Sequence, residues 1–172
     1  YIDAAGTPTY KYFSLKPNEL ADAMDNWFDT TLPIKLQGDM TNWNVSAITD
    51  FNTLFSGRET FNEDISGWDV GSAVSVAQMF KNAKKFDRDI SNWDTSQVTN
   101  MLYMFEGAED FNQDISNWVT SQIINMAGMF NGATKFNNGD ISGGHGKPLD
   151  KNTRWAQWGG AVATSGTPPS AR

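Results

Sequence analysis

A column of carboxylates is the most chemically suggestive feature of this sequence. Asp39, Asp64, Asp89 and Asp114 recur every 25 residues, and Asp140 follows one residue late. Carboxylates stacked about 5 Å apart repel one another unless something satisfies them. A calcium ladder would do so, with oxygen pairs such as Asn62/Asp64 and Asn112/Asp114 as ligands. Turn amides of the same or the adjacent coil would do so equally. The second is the expectation, because no D-x-D-x-D-G run marks a dedicated calcium loop. A second column is aromatic: Trp43, Trp68, Trp93 and Trp118. Exposed, it would be a stacking ladder for sugar rings; buried, it is core, and the large apolar area of an indole favours the core. His145 stands alone between glycines, with no cysteine and no second histidine to build a metal triad or a nucleophile relay. Composition does not exclude a carboxylate-pair hydrolase, but repeated carboxylates on a shallow face make a poor pocket. No catalytic residue, metal or cofactor is expected. Asn44-Val45-Ser46 is a glycosylation sequon on a secretory route, read here as unmodified. Lys81, Lys84, Lys85 and Arg88 form a local basic cluster, read as a solvated loop.

The elements that carry these residues follow from the period. Phe55, Phe80, Phe105 and Phe130 share one column, Phe61, Phe86, Phe111 and Phe136 another, and Leu54, Met79, Met104 and Met129 a third. So many coincidences at one spacing mark a repeat protein. Full repeats begin at Asp39, Asp64, Asp89 and Asp114; a fifth begins at Asp140 and degenerates at residues 142–146.

Residues 89–113 show what one repeat is expected to fold into. Ile90, Trp93 and Thr95 have the spacing of a leucine-rich repeat, whose last part is a short strand. Val98, Met101, Met104, Phe105 and Ala108 step by three, three, one and three, as on one helix face. Ser96 would cap that helix, and Gly107, with Asn82 in the same column, would end it in a left-handed conformation. The expected fold class is α/β: a short right-handed β-α solenoid of leucine-rich-repeat type, with four full repeats and a degenerate fifth. Residues 14–28 read as an amphipathic helix, with Leu20, Met24, Trp27 and Phe28 on one side, that caps the N-terminal end. The expected organisation is therefore an arm and capping helix in 1–35, the repeat array in 36–146, and a C-terminal cap and tail in 147–172. Arg154, Trp155 and Trp158 would fold over the last coil, ahead of a Gly/Pro/Ser-rich tail.

Bulk properties bound the function. The chain has 172 residues, net charge −7, 39% hydrophobic and 13% aromatic content, and no cysteine. That is one domain with a core. The acidic balance argues against nucleic acid or an anionic membrane as partner. Lack of cysteine excludes a disulfide scaffold and a thiol nucleophile. No apolar run is long enough to span a membrane. Beginning at Tyr1 without an apolar targeting segment, the chain reads as a processed product or a fragment.

The string DISNWDTSQVTNMLYMFEGAEDFNQDISNW resembles the BspA-like surface-protein repeat, a relative of leucine-rich repeats, over roughly residues 36–142. D-I-S-x-W-D, V-x-x-M-x-x-M-F and F-N-x-D-I recur in register. The resemblance implies an interaction module that is secreted, surface-attached or lumenal, and implies no activity. Departures occur at residues 69–73, at Val119 and at residues 142–146.

Outward positions on the expected strands are Asn42, Asn44 and Ser46; Gly67, Asp69 and Gly71; Asn92, Asp94 and Ser96; Asn117, Val119 and Ser121. Such a face is small, polar and mildly acidic, with Val119 its one apolar member, and suits protein contacts. Asn44, Asp69, Asn92, Asp94, Asn117, Val119 and Ser121 are the candidate partner-binding residues. The expected function is a non-enzymatic scaffold, either an exported adhesion-type module or an accessory subunit docked on a larger complex, including one at an organelle membrane. A carbohydrate-binding module using the repeat tryptophans and the polar face is the alternative.

Overall fold

The computed structural model describes residues 19–28 and 40–136. Helix α1 spans Leu20–Phe28. Leu20, Ala23, Met24 and Trp27 recur at helical spacing and are all buried. Trp27 meets Trp43 edge-on, with ring centroids 5.7 Å apart, and Phe28 meets Phe61 at 6.1 Å. This part of the expected capping helix therefore covers the first coil of the repeats. A 3-10 turn, Met40–Asn42, lies at the start of that coil.

The repeats themselves do not form β-α units, and the solenoid expected from their spacing is corrected by the backbone hydrogen bonds. Between Val98 and Ala108 no amide bonds the carbonyl four residues back. Instead the amides alternate. Met101, Tyr103, Phe105 and Gly107 donate forward to the carbonyls of Asn125, Ala127, Met129 and Asn131 in the next coil. Met104, Glu106 and Ala108 donate to the carbonyl three residues back. A helix cannot form when every second amide leaves it. Tyr103, in the middle of the expected helix, has φ 53°, and its repeat equivalents Thr53, Gln78 and Gly128 have φ 59°, 57° and 60°. The apolar steps of three, three, one and three fit tandem turns as well as they fit a helix face. That ambiguity misled the sequence reading.

The expected strands are also absent; among the described residues, parallel pairing is limited to isolated bridges joining Asp50, Ser75, Asn100 and Asn125. Ile90, Trp93 and Thr95 do point inward and are buried. What prevents a strand is turn chemistry: Asp89 and Asp94 each draw the amide two residues on to their own carboxylate. The architecture is a stack of turn-rich coils stitched by backbone bonds at a spacing of one repeat.

Aromatic rings fill the interior. Within each coil two phenylalanines stack face to face: Phe55–Phe61 and Phe80–Phe86 at 3.9 Å, Phe105–Phe111 at 4.0 Å, Phe130–Phe136 at 3.9 Å. Adjacent coils stack through Phe55–Phe80 and Phe80–Phe105, both at 5.4 Å. Phe80 is fully buried, so truncation to alanine would cost about 3–5 kcal/mol.

Candidate interaction surface

The tryptophan column lies inside: Trp43, Trp68, Trp93 and Trp118 are 3–4% exposed. Each of the last three indoles donates Nε1–H to a carbonyl of the preceding coil: Met40 at 2.8 Å, Ile65 at 3.4 Å and Ile90 at 3.0 Å. Burial and a bonded N–H leave these rings no face for a sugar to stack on.

The carboxylate column is engaged locally. Asp64, Asp89 and Asp114 accept the amides of Ser66, Ser91 and Ser116, each at 2.9 Å. The amide and then the hydroxyl of Ser66 hold the Asp64 carboxyl below its ordinary range, and those of Ser91 do the same for Asp89. Among the described residues no cluster of three His, Cys, Asp or Glu is arranged to hold a metal. Asp39, Asp140 and His145 lie outside the described residues, as do the arm, Arg154, Trp155, Trp158 and the tail.

The candidate partner residues sit on turns. Asn44 accepts the amide of Ser46 at 3.1 Å and its hydroxyl at 2.7 Å. Asp69 accepts from Gly71 at 3.0 Å and Asp94 from Ser96 at 2.9 Å. The Ser96 amide and hydroxyl also lower the Asp94 carboxyl. Asn92, Asn117 and Ser121 are exposed. Val119 occupies the column of Asn44, Asp69 and Asp94, where it has no oxygen to offer its turn, and is 44% exposed. Its carbonyl accepts the hydroxyl of the buried Thr95 at 3.0 Å. Two exposed residues escaped the sequence reading: Val74 and Ile124, 46% and 73% exposed, lie in one column on either side of Thr99. Their signal was present, since both are apolar beside the bridge column.

The basic cluster is an inter-coil ion-pair lattice, not a free patch. Lys81 meets Glu106 at 2.6 Å, Lys84 meets Glu59 at 3.1 Å, and Asp110 lies between Lys85 at 2.9 Å and Lys135 at 2.7 Å. Arg88 donates to the carbonyl of Asn62 at 2.7 Å. Hydrogen bonds from Lys135 and then Lys85 lower the Asp110 carboxyl, and Asp110 raises Lys85. A groove of about 340 Å³ lies beside α1, lined among the described residues by Asp25, Asn52, Thr53, Leu54, Ser56, Gly57 and Arg58.

The model of a family described as Mycoplasma protein of unknown function, DUF285, matches residues 22–143, from within α1 through the stacked coils. The chain belongs to this family. No curated protein and no solved structure matches the chain. The DUF285 match spans the whole described coil stack, so the aromatic columns and turn caps above are features of the family region. Among its described residues no helix is long and apolar enough to cross a membrane.

Proposed function

We propose that this chain is a non-enzymatic protein–protein interaction module whose contact surface centres on Val119 in the last described coil. The observation that carries this is the placement of Val119, Val74 and Ile124. They are exposed large hydrophobics on a stack whose other large apolar side chains are buried or half-buried and whose turns are polar. Val119 stands where the other coils carry a turn-capping Asn or Asp. An apolar spot rimmed by small polar groups is the usual make-up of a protein contact. The resemblance to BspA-like surface repeats supports an exported setting: secreted, at the cell surface or in an organelle lumen. An accessory subunit on a larger complex uses the same surface. Carbohydrate binding through tryptophan draws no support from the buried indoles.

Affinity capture from native extract tests the reading, with the wild-type chain beside the double variant Val119→Asp, Ile124→Asp. Specific partners retained by the first and lost by the second, with near-ultraviolet circular dichroism unchanged, are the expected result. Equal capture by both removes Val119 from the contact.

A further inference from the structure

Asn131-Gly132 is the one Asn-Gly pair among the described residues, and both members are exposed on the last described coil. Such a pair can react with itself, because an unscreened amide nitrogen that follows an asparagine is a nucleophile within reach of the side-chain carbonyl carbon. Gly132 has φ 75° and no side chain to screen its nitrogen. Other asparagines of the stack are guarded. The exposed Asn82, Asn92 and Asn117 precede Ala83, Trp93 and Trp118, and each of those amides is tied to the carbonyl three residues back, at 3.0–3.2 Å. Gly132 makes no such bond to Met129. The half-buried Asn100 and Asn125 have their side-chain oxygens pinned by the amides of Leu102 and Ala127, both at 3.1 Å.

We propose that Asn131 is a site of spontaneous covalent modification, at which deamidation releases the hydrogen bond that ties this coil to the one before it. The amide nitrogen of Gly132 gives up its proton and attacks Cγ of Asn131. The new C–N bond closes a cyclic imide, the Cγ–Nδ2 bond breaks, and Nδ2 leaves as ammonia with that proton. Water then opens the ring at either carbonyl. The products are an aspartate and its iso form, in which the main chain runs through the β-carbon. One water is consumed and one ammonia released, with no oxidant or reductant. The Asn131 amide donates to Gly128 at 3.0 Å, and its carbonyl accepts the Gly107 amide at 2.7 Å. The iso product lengthens the main chain by one carbon between these two groups and carries the carbonyl away from Gly107. The aspartate product keeps the main chain but sets a carboxylate in the column of Glu106, which Lys81 holds at 2.6 Å. The coil that is altered is the one carrying Val119 and Ile124. The inference stands apart from the interaction-module reading, since it needs no partner.

The test is to hold the native full chain in mildly alkaline buffer, which favours loss of the amide proton, and to follow each asparagine by peptide mapping and mass spectrometry. The mass gain of an amide turned to an acid is expected at Asn131, in normal and iso forms, and not at Asn82, Asn92, Asn100, Asn117 or Asn125. Asn138-Gly139, outside the described residues, is read separately by the same mapping. Asn131→Gln, whose longer side chain closes the ring poorly, should remove the gain at this position. In chains carrying the iso form, hydrogen exchange of the Gly107 amide should quicken at least about tenfold, because its acceptor has moved. A native chain that stays unmodified at Asn131, while the same chain in urea gains the mass, overturns the proposal: the fold then protects the pair. Equal gain at Asn82, Asn92 and Asn117 overturns it too, since the tied amides would then guard nothing. Unchanged exchange at Gly107 in the iso form overturns the claim that the modification releases the coil.

Discussion

The indole of Trp118 donates its N–H to the carbonyl of Ile90, 28 residues earlier, at 3.0 Å. Trp93 and Trp68 repeat the bond to Ile65 and Met40. Each tryptophan is thus both core filler and hydrogen-bonded stitch between successive coils. Replacing Trp68 with phenylalanine keeps most of the apolar volume but removes one of the two hydrogen bonds that the Met40 carbonyl accepts, leaving that from the Trp43 amide. It should lower unfolding free energy by about 0.5–1.5 kcal/mol. Urea denaturation measures this, and a Trp68→Phe chain as stable as wild type would show the bond to be idle.

Thr53 offers a test that separates tandem turns from a helix. A β-branched residue held at φ 59° carries a steric cost. Thr53→Gly should raise stability by about 1 kcal/mol by removing that cost, less the entropy glycine brings. In the interior of a helix the same change would instead cost a few tenths of a kcal/mol, the gap between glycine and threonine propensities. The sign alone decides.

Gly57 and Gly107 share a column and a left-handed backbone, at φ 73° and 68°, but not the same surroundings. A β-carbon at Gly57 meets nothing within 4 Å; one at Gly107 falls 2.3 Å from Oδ1 of Asn82. Gly57→Ala should cost about 1 kcal/mol, from backbone strain alone. Gly107→Ala should cost more, and adding Asn82→Ala should return part of the difference. Equal midpoint shifts in thermal unfolding for the two single variants would contradict the stacking of the two coils.

The turn-capping carboxylates make stability depend on pH in one direction. Asp64, Asp89 and Asp94 have folded pKa values below their unfolded value of about 3.9. Their contribution is therefore complete above that value and fades as pH falls through the folded values. Asparagine caps the same turn without titrating, as Asn44 does for Ser46. Chains with Asp64, Asp89 and Asp94 all changed to Asn should lose less stability than wild type between about pH 6 and about pH 3. An unchanged acid slope in denaturant titrations would mean that these carboxylates are not what the acid limb reports.

Val119→Asp should leave the fold at least as stable as wild type while weakening partner capture. Aspartate can accept the Ser121 amide as Asp94 accepts that of Ser96, and a satisfied turn bond contributes about 0.5–1.5 kcal/mol. A marked drop in thermal midpoint would show Val119 to be a packing residue instead.

Much of this molecule was legible before its structure. The period, the inward aromatic columns, the helix carrying Leu20, Met24 and Trp27, and the left-handed residue at the Gly57/Asn82/Gly107 column all follow from side-chain size, spacing and backbone sterics. Local turn caps were legible too, in D-I-S at residues 64–66, 89–91 and 114–116. Secondary structure was misread for a physical reason. An apolar step of three suits an α-helical face and a run of i−3 turns equally, and nothing local separates them. That choice belongs to the hydrogen bonds between coils. Only when Phe105 finds Met129, and Gly107 finds Asn131, do alternate amides leave their own segment and rule the helix out. The same long-range pairing turned Lys81, Lys84 and Lys85 from an apparent basic patch into bridges to Glu106, Glu59 and Asp110. Composition and spacing decided which side chains go inside; the stacking of one coil on the next decided what shape the backbone takes to put them there.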